Sequence, residues 1–172
     1  MDISIVGKDS IRLKGRKVTF IVDPVKDMPK TSADAVILLN SASGEDLSKA
    51  ADYRIIIKGA GEYEVGGSKV SGVSTQKGVL YKLSIDDISI ILGSPAETKA
   101  ENFTTCQIAV IKSDEELSDS FVTALEPKIT IVYGEKKAEA AKSLGSENTT
   151  SVSKLTITKD KLPEKMEIVV LE

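Results

Sequence analysis

The sequence predicts an α+β fold in which sheets pack on each other with helices outside. Three observations lead there. Short runs rich in β-branched residues recur along the chain, joined by turns as hairpin-linked strands are. Helical periodicity appears in only two places, both in the second half. One strand, Ala35-Val36-Ile37-Leu38-Leu39, is apolar at every position, as a strand covered on both faces must be. A sheet with an apolar face is stable only when something covers it, so this mix of elements reads as a layered sandwich.

The elements follow in order. Asp2 to Val6 alternates and reads as a strand, and Gly7-Lys8-Asp9-Ser10 turns into a second around Ile11-Arg12-Leu13. Gly15 tips a hairpin-like turn into Val18 to Val22, which stops at Asp23-Pro24 because proline cannot donate to a ladder. Val25 to Ser32 is a loop. The apolar strand then empties into Asn40-Ser41-Ala42-Ser43-Gly44-Glu45-Asp46, a small polar loop. A rigid strand holds such a loop in place, which is why loops of this kind carry chemistry in many folds.

Glu45 to Ala51 reads as one or two helical turns, and Tyr53 to Ile57 as a strand. Gly59, Gly61, Gly66 and Gly67 mark tight turns. Val70 to Ser74 and Leu80 to Ile85 are strands, and Asp86-Asp87 is a two-residue hairpin turn into Ile88 to Leu92, which ends at Gly93-Ser94-Pro95. Ser113 with Glu116 forms a capping-box start for a helix with Leu117, Phe121, Val122 and Leu125 on one face, ended by Pro127. Ile129 to Val132 is a strand, and Glu135 to Leu144 a second helix stopped by Gly145. Leu155 to Ile157 and Glu167 to Leu171 return to strand.

At 172 residues the chain reads as one domain, residues 1–172, with no linker or repeat. Its 41% hydrophobic and 28% charged content is globular rather than disordered. A net charge of −3 with scattered Lys and Arg argues against nucleic acid or an anionic membrane as partner. No apolar run reaches the roughly 20 residues of a membrane span. The first residues lack a signal-peptide pattern, and the lone Cys106 precludes an internal disulfide, so a cytoplasmic location is expected. The chain contains no histidine. That removes the usual general base and the commonest metal ligand together.

Several blocks, taken in order, resemble the metallo-β-lactamase-fold hydrolases, in particular the small branch of ascorbate-phosphate lactonases. Gly7-Lys8-Asp9-Ser10 stands where that family has Gly-His-Ser/Ala-Cys, and Val22-Asp23-Pro24 is similar to its Thr-Asp-Pro. Ala33-Asp34 to Leu39 resembles the strand leading into the metal motif. Gly59-Ala60-Gly61-Glu62-Tyr63-Glu64 resembles its Gly-Pro-Gly-Glu-Tyr-Glu most closely, and Glu126 to Ile129 and Ile157 to Leu171 also fit. The resemblance implies a four-layer αββα sandwich. It also implies a zinc-dependent site, and there the pattern fails. The His-x-His-x-Asp-His motif falls on Asn40, Ala42, Gly44 and Glu45; the next histidine would lie between Ser74 and Lys77; the bridging aspartate falls on Ser94 and the last histidine on Gly134. Only Glu45 could donate a zinc ligand, so the family's bound water, with its pKa lowered to about 7, has nothing to form on.

The remaining reactive residues have ordinary readings. Asp23 before a proline reads as an Asx-turn acceptor, Glu62 and Glu64 as structural, Cys106 as a small buried apolar residue, and Asp86-Asp87 as a solvated turn. Ser41, Ser43 or Ser94 would need a lysine base such as Lys8 or Lys58, and no spacing supports it. Lys8, at a family histidine position, and Glu45, at the last residue of the metal motif, are expected to form an ion pair in which the lysine supplies the charge a metal would give. The sequence therefore favours a non-catalytic, metal-free relative of these hydrolases, a pseudoenzyme without catalytic residues, metal or cofactor. Its role would be to bind an unidentified protein or small molecule, or to self-associate as a homo-oligomer. The alternative is a hydrolase with a rebuilt carboxylate site holding magnesium or manganese.

Overall fold

The computed structural model describes residues 1–40, 46–95, 105–145 and 150–172. Two sheets face each other. The first is built from β1 (Asp2–Gly7), β2 (Ser10–Lys14), β3 (Thr19–Val22), β5 (Ala35–Leu38), β7 (Ile55–Lys58) and β15 (Lys154–Thr156), in the order β15-β1-β2-β3-β5-β7. The second contains β8 (Gly61–Val65), β9 (Ser68–Thr75), β10 (Gly78–Ile85), β11 (Ile88–Gly93), β12 (Ile108–Lys112), β13 (Ile129–Tyr133), β14 (Thr150–Val152) and β16 (Glu167–Leu171). Its order is β14-β16-β13-β12-β11-β10-β9-β8. Two short strands, β4 (Thr31–Ser32) and β6 (Ala50–Ala51), pair beside them.

Strand alternation sets what lies between the sheets. Ile11, Leu13, Phe20, Val22, Ile37 and Ile57 of the first sheet meet Tyr81, Leu83, Ile90, Leu92, Ile108, Val110, Ile131 and Tyr133 of the second. The other face of the second sheet is covered by α1 (Asp119–Leu125) and α2 (Lys137–Ser143), whose Val122, Leu125, Ala140 and Ala141 pack on Ile91, Ala109, Ile111 and Val132. β5 is buried on both faces, as its unbroken apolar run requires: Ile37 faces the second sheet, while Val36 and Leu38 meet Ala50, Leu47 and Tyr53. Among the described residues this fourth layer is thin, a loop carrying Met28 and Ala33 and a 3-10 turn at Leu47–Lys49.

Several elements differ from the sequence reading. The first helix starts at Asp119 rather than at Ser113: the Ser113 hydroxyl donates to the Glu115 carbonyl, the chain bends at Asp114 and Glu115, and Ser118, in extended conformation, is the residue that precedes the helix. The glycine-rich stretch holds an intact strand, β8, between two turns. The Asp86-Asp87 turn has both residues at positive φ, 51° and 63°, as a primed hairpin turn demands. It is not simply solvated: Asp86 accepts the Arg16 N–H at 3.0 Å, and this bond crosses between the sheets.

Candidate functional site

Parallel strands in both sheets point their C-terminal ends to the same end of the sandwich: β3, β5 and β7 in one sheet, and β11, β12, β13, β16 and β14 in the other. Hydrogen bonds tie the two sets together there. Tyr81 of β10 donates its hydroxyl to the Leu38 carbonyl at 3.0 Å and accepts the Gly59 N–H at 3.1 Å. Burial pushes this phenol up to about 12. Val79 N–H donates to the Leu39 carbonyl at 2.9 Å. The approach is so close that a Cβ on Gly78, at φ +125°, would stand 2.3 Å from that carbonyl oxygen.

Asp23 follows the last residue of β3 with φ 45°, in the left-handed region that Asp tolerates better than most residues. It is not the local Asx turn expected of Asp-Pro. Its Oδ1 accepts the Leu39 N–H at 2.9 Å, a bond that pins the end of β5. Its Oδ2 lies 3.3 Å from Nζ of Lys112, the last residue of β12. The same ammonium is 3.8 Å from Oδ2 of Asp114. Burial raises the Asp23 carboxyl above the usual carboxylate range; Lys112 and the Leu39 N–H offset only part of this, and Asp114 adds to it.

Lys112 is paired in register with Tyr133, and Gly93 with Ile111, so Ser94, Lys112 and Tyr133 stand at one level across three neighbouring strands. Their positions are in phase with the inward-facing Leu92, Val110 and Ile131. The Tyr133 hydroxyl is buried, and among the described residues it has no hydrogen-bond partner. Burial raises its pKa, and the charges of Asp23, Asp114 and Asp9 raise it further. Asp114 closes the site from the outside by accepting the Glu135 N–H through Oδ1 at 3.1 Å.

Of the positions expected from the sequence, Asn40 is exposed just past β5, Ser94 is half-buried past β11, and Gly134 is buried past β13. Ser41, Ala42, Ser43, Gly44 and Glu45 lie outside the described residues, and with them the expected Lys8–Glu45 pair. Lys8 itself is exposed and lies 3.4 Å from Glu135. Lys58 ends β7 in an exposed position, and Glu62 and Glu64 are exposed on β8. Cys106 is buried, and burial pushes its thiol up to about 11. Lys112, Asp114 and Tyr133 were not anticipated. The signal for Lys112 and Tyr133 was a polar residue in phase with the buried isoleucines of β12 and β13.

These residues do not fit a zinc ion. A zinc site needs converging thiolate, imidazole or carboxylate ligands. Among the described residues no three His, Cys, Asp or Glu side chains come together as such a set. An ammonium instead stands against the carboxylate of Asp23. Gly134, at φ +103°, is a strained position for any side chain, and a Cβ there would lie 2.9 Å from the Ser113 carbonyl oxygen.

Comparison with solved structures decides the architecture. The chain is similar to a Thermotoga maritima protein named as a candidate Zn-dependent hydrolase of the metallo-β-lactamase superfamily. The TM-score is 0.78 at 20% identity, over 99% of this chain and 97% of that one. The chain has the metallo-β-lactamase fold. A second structure with a similar fold is CmlA, a diiron β-hydroxylase from Streptomyces venezuelae, with TM-score 0.58 and 12% identity over 76% of this chain and 44% of that one. No protein-family model matches the sequence, and no curated protein does. In this metallo-β-lactamase fold the ends of the central strands form the polar centre described above. Among the described residues no helix is long and apolar enough to cross a membrane.

Proposed function

We propose that this chain is a non-catalytic, metal-free protein on a hydrolase fold, kept for binding or self-association. The observation that carries the reading is the Lys112 ammonium, held 3.3 Å from Asp23 and 3.8 Å from Asp114 at the converging strand ends. A tethered cation there compensates the carboxylates without an ion, and it stays in place because it belongs to the chain. The absence of histidine supports the same reading. An ammonium has no open coordination position and cannot generate a nucleophilic hydroxide as a metal does.

The test is elemental analysis of untagged protein dialysed separately against zinc, manganese and magnesium, together with hydrolysis assays on lactone, β-lactam and phosphodiester substrates. The reading expects less than about a tenth of an equivalent of any metal and no turnover. Near-stoichiometric zinc with turnover would overturn it. Retained manganese or magnesium with turnover would favour the alternative hydrolase, with a rebuilt carboxylate site around Asp23 and Asp114.

A further inference from the structure

The two sheets have free edges on the same side of the sandwich. β7 ends the first sheet, β8 ends the second, and only Gly59 and Ala60 join them. Among the described residues neither strand has a partner on its outer edge. β7 runs toward the polar end, parallel to β5. β8 runs away from it, because three antiparallel steps through β9 and β10 separate it from β11. Each edge is half apolar: Ile55 and Ile57 of β7, with Tyr63 and Val65 of β8, face the inter-sheet core. Apart from Ile56, which packs with Val36 and Leu38, the outward residues are charged, with exposed Arg54 and Lys58 around β7 and exposed Glu62 and Glu64 on β8.

We infer that a second copy of this chain docks on this side through a twofold axis parallel to the strands, adding β8 of each copy to β7 of the other. The pairing is antiparallel, and each sheet of one copy continues into the opposite sheet of its partner. Keeping inner faces inner and giving both isoleucines an apolar partner sets Ile57 against Tyr63 and Ile55 against Val65. On the outer face Lys58 then stands opposite Glu62, with Ile56 opposite Glu64. Charge chooses this arrangement over its rivals. Pairing β7 with itself sets Arg54 and Lys58 against their own copies, and pairing β8 with itself does the same to Glu62 and Glu64; like charges across strands are destabilising. The contact is isologous and closed, so it ends at the dimer.

The test is sedimentation equilibrium of the purified full chain over a concentration series. The wild type is expected at twice the 18.4 kDa chain mass. K58E and E62K each place two like-charge pairs in the dimer and weaken it about tenfold or more. An equimolar mixture of the two variants restores both opposite-charge pairs and is expected to recover the wild-type mass, as is the K58E/E62K double variant. Both positions are exposed, and far-ultraviolet circular dichroism checks that the variants are folded. A wild type that stays monomeric at about 100 μM overturns the inference. So does a dimer that neither single variant weakens, or a mixture that stays monomeric. Metal content plays no part in these outcomes, so they stand or fall apart from the non-catalytic reading.

Discussion

Removing Lys112 should cost far more than removing the carboxylate it faces. In Lys112→Met the Asp23 carboxylate stays buried, still bonded to the Leu39 N–H but without its cation. Breaking a buried pair from one side costs about 3–5 kcal/mol, and Lys112 retains 20% exposure, so about 3 kcal/mol is expected at pH 7. For a chain of this size that lowers Tm by roughly 6–12 °C. Asp23→Asn is much milder. Its carbonyl oxygen keeps the Leu39 bond, Asn tolerates the left-handed φ, and Lys112 can turn to Asp114 and water; a loss under about 1 kcal/mol is expected. The double variant should lie close to Asp23→Asn, giving a coupling of about 2 kcal/mol or more in a double-mutant cycle.

The pH dependence gives a second readout. The folded pKa of Asp23 is raised, so its contribution to stability is fully present below the unfolded value near 4 and is lost as pH rises through the folded pKa. The Lys112→Met deficit should therefore shrink on acidification and vanish below about pH 4, where Asp23 is protonated in both states. Urea denaturation at pH 4 and pH 7 measures both effects. A Lys112→Met loss under about 1 kcal/mol at pH 7, or single-variant losses that simply add, would refute the ion-pair account.

Three further outcomes are expected. Tyr133→Phe removes a buried hydroxyl that has no hydrogen-bond partner among the described residues, and should leave stability unchanged or raised by up to about 1 kcal/mol; a loss of more than that in thermal melts would mean the hydroxyl is bonded. Gly78→Ala forces a Cβ against the Leu39 carbonyl at positive φ and should cost about 1–3 kcal/mol in chemical denaturation. The Cys106 thiol, raised to about 11 by burial, should resist a disulfide reagent at pH 8 in the native protein and react fully in denaturant; rapid native labelling would contradict its burial.

Strand existence was legible because apolar alternation and β-branched runs report directly on burial, and the fully apolar β5 announced a strand covered on both faces. Helix starts were less legible. Ser113 and Glu116 have capping-box spacing, yet the Ser113 hydroxyl satisfies the Glu115 carbonyl and no helix forms there. β14 was missed because Thr150–Val152 is short, largely exposed and defined only by its partner β16. Asn40, Ser94 and Gly134, the positions named from a resemblance, do lie just past the ends of β5, β11 and β13. The Lys112–Asp23 pair could not be read from the sequence, since it joins residues from different sheets and depends on a register that local sequence does not state.

The strand order also bears on how the chain emerges during synthesis. The first sheet is assembled almost wholly from the first third of the sequence, but its outer strand, β15, comes from near the other end, with Asp2 aligned to Thr156. Until those residues leave the ribosome, β1 stands as an open edge, able to pair with a neighbouring nascent chain. The β15 segment therefore acts as a covering strand for β1, and a proline in place of Leu155, which pairs with Ile3, should favour aggregation even with every other strand intact.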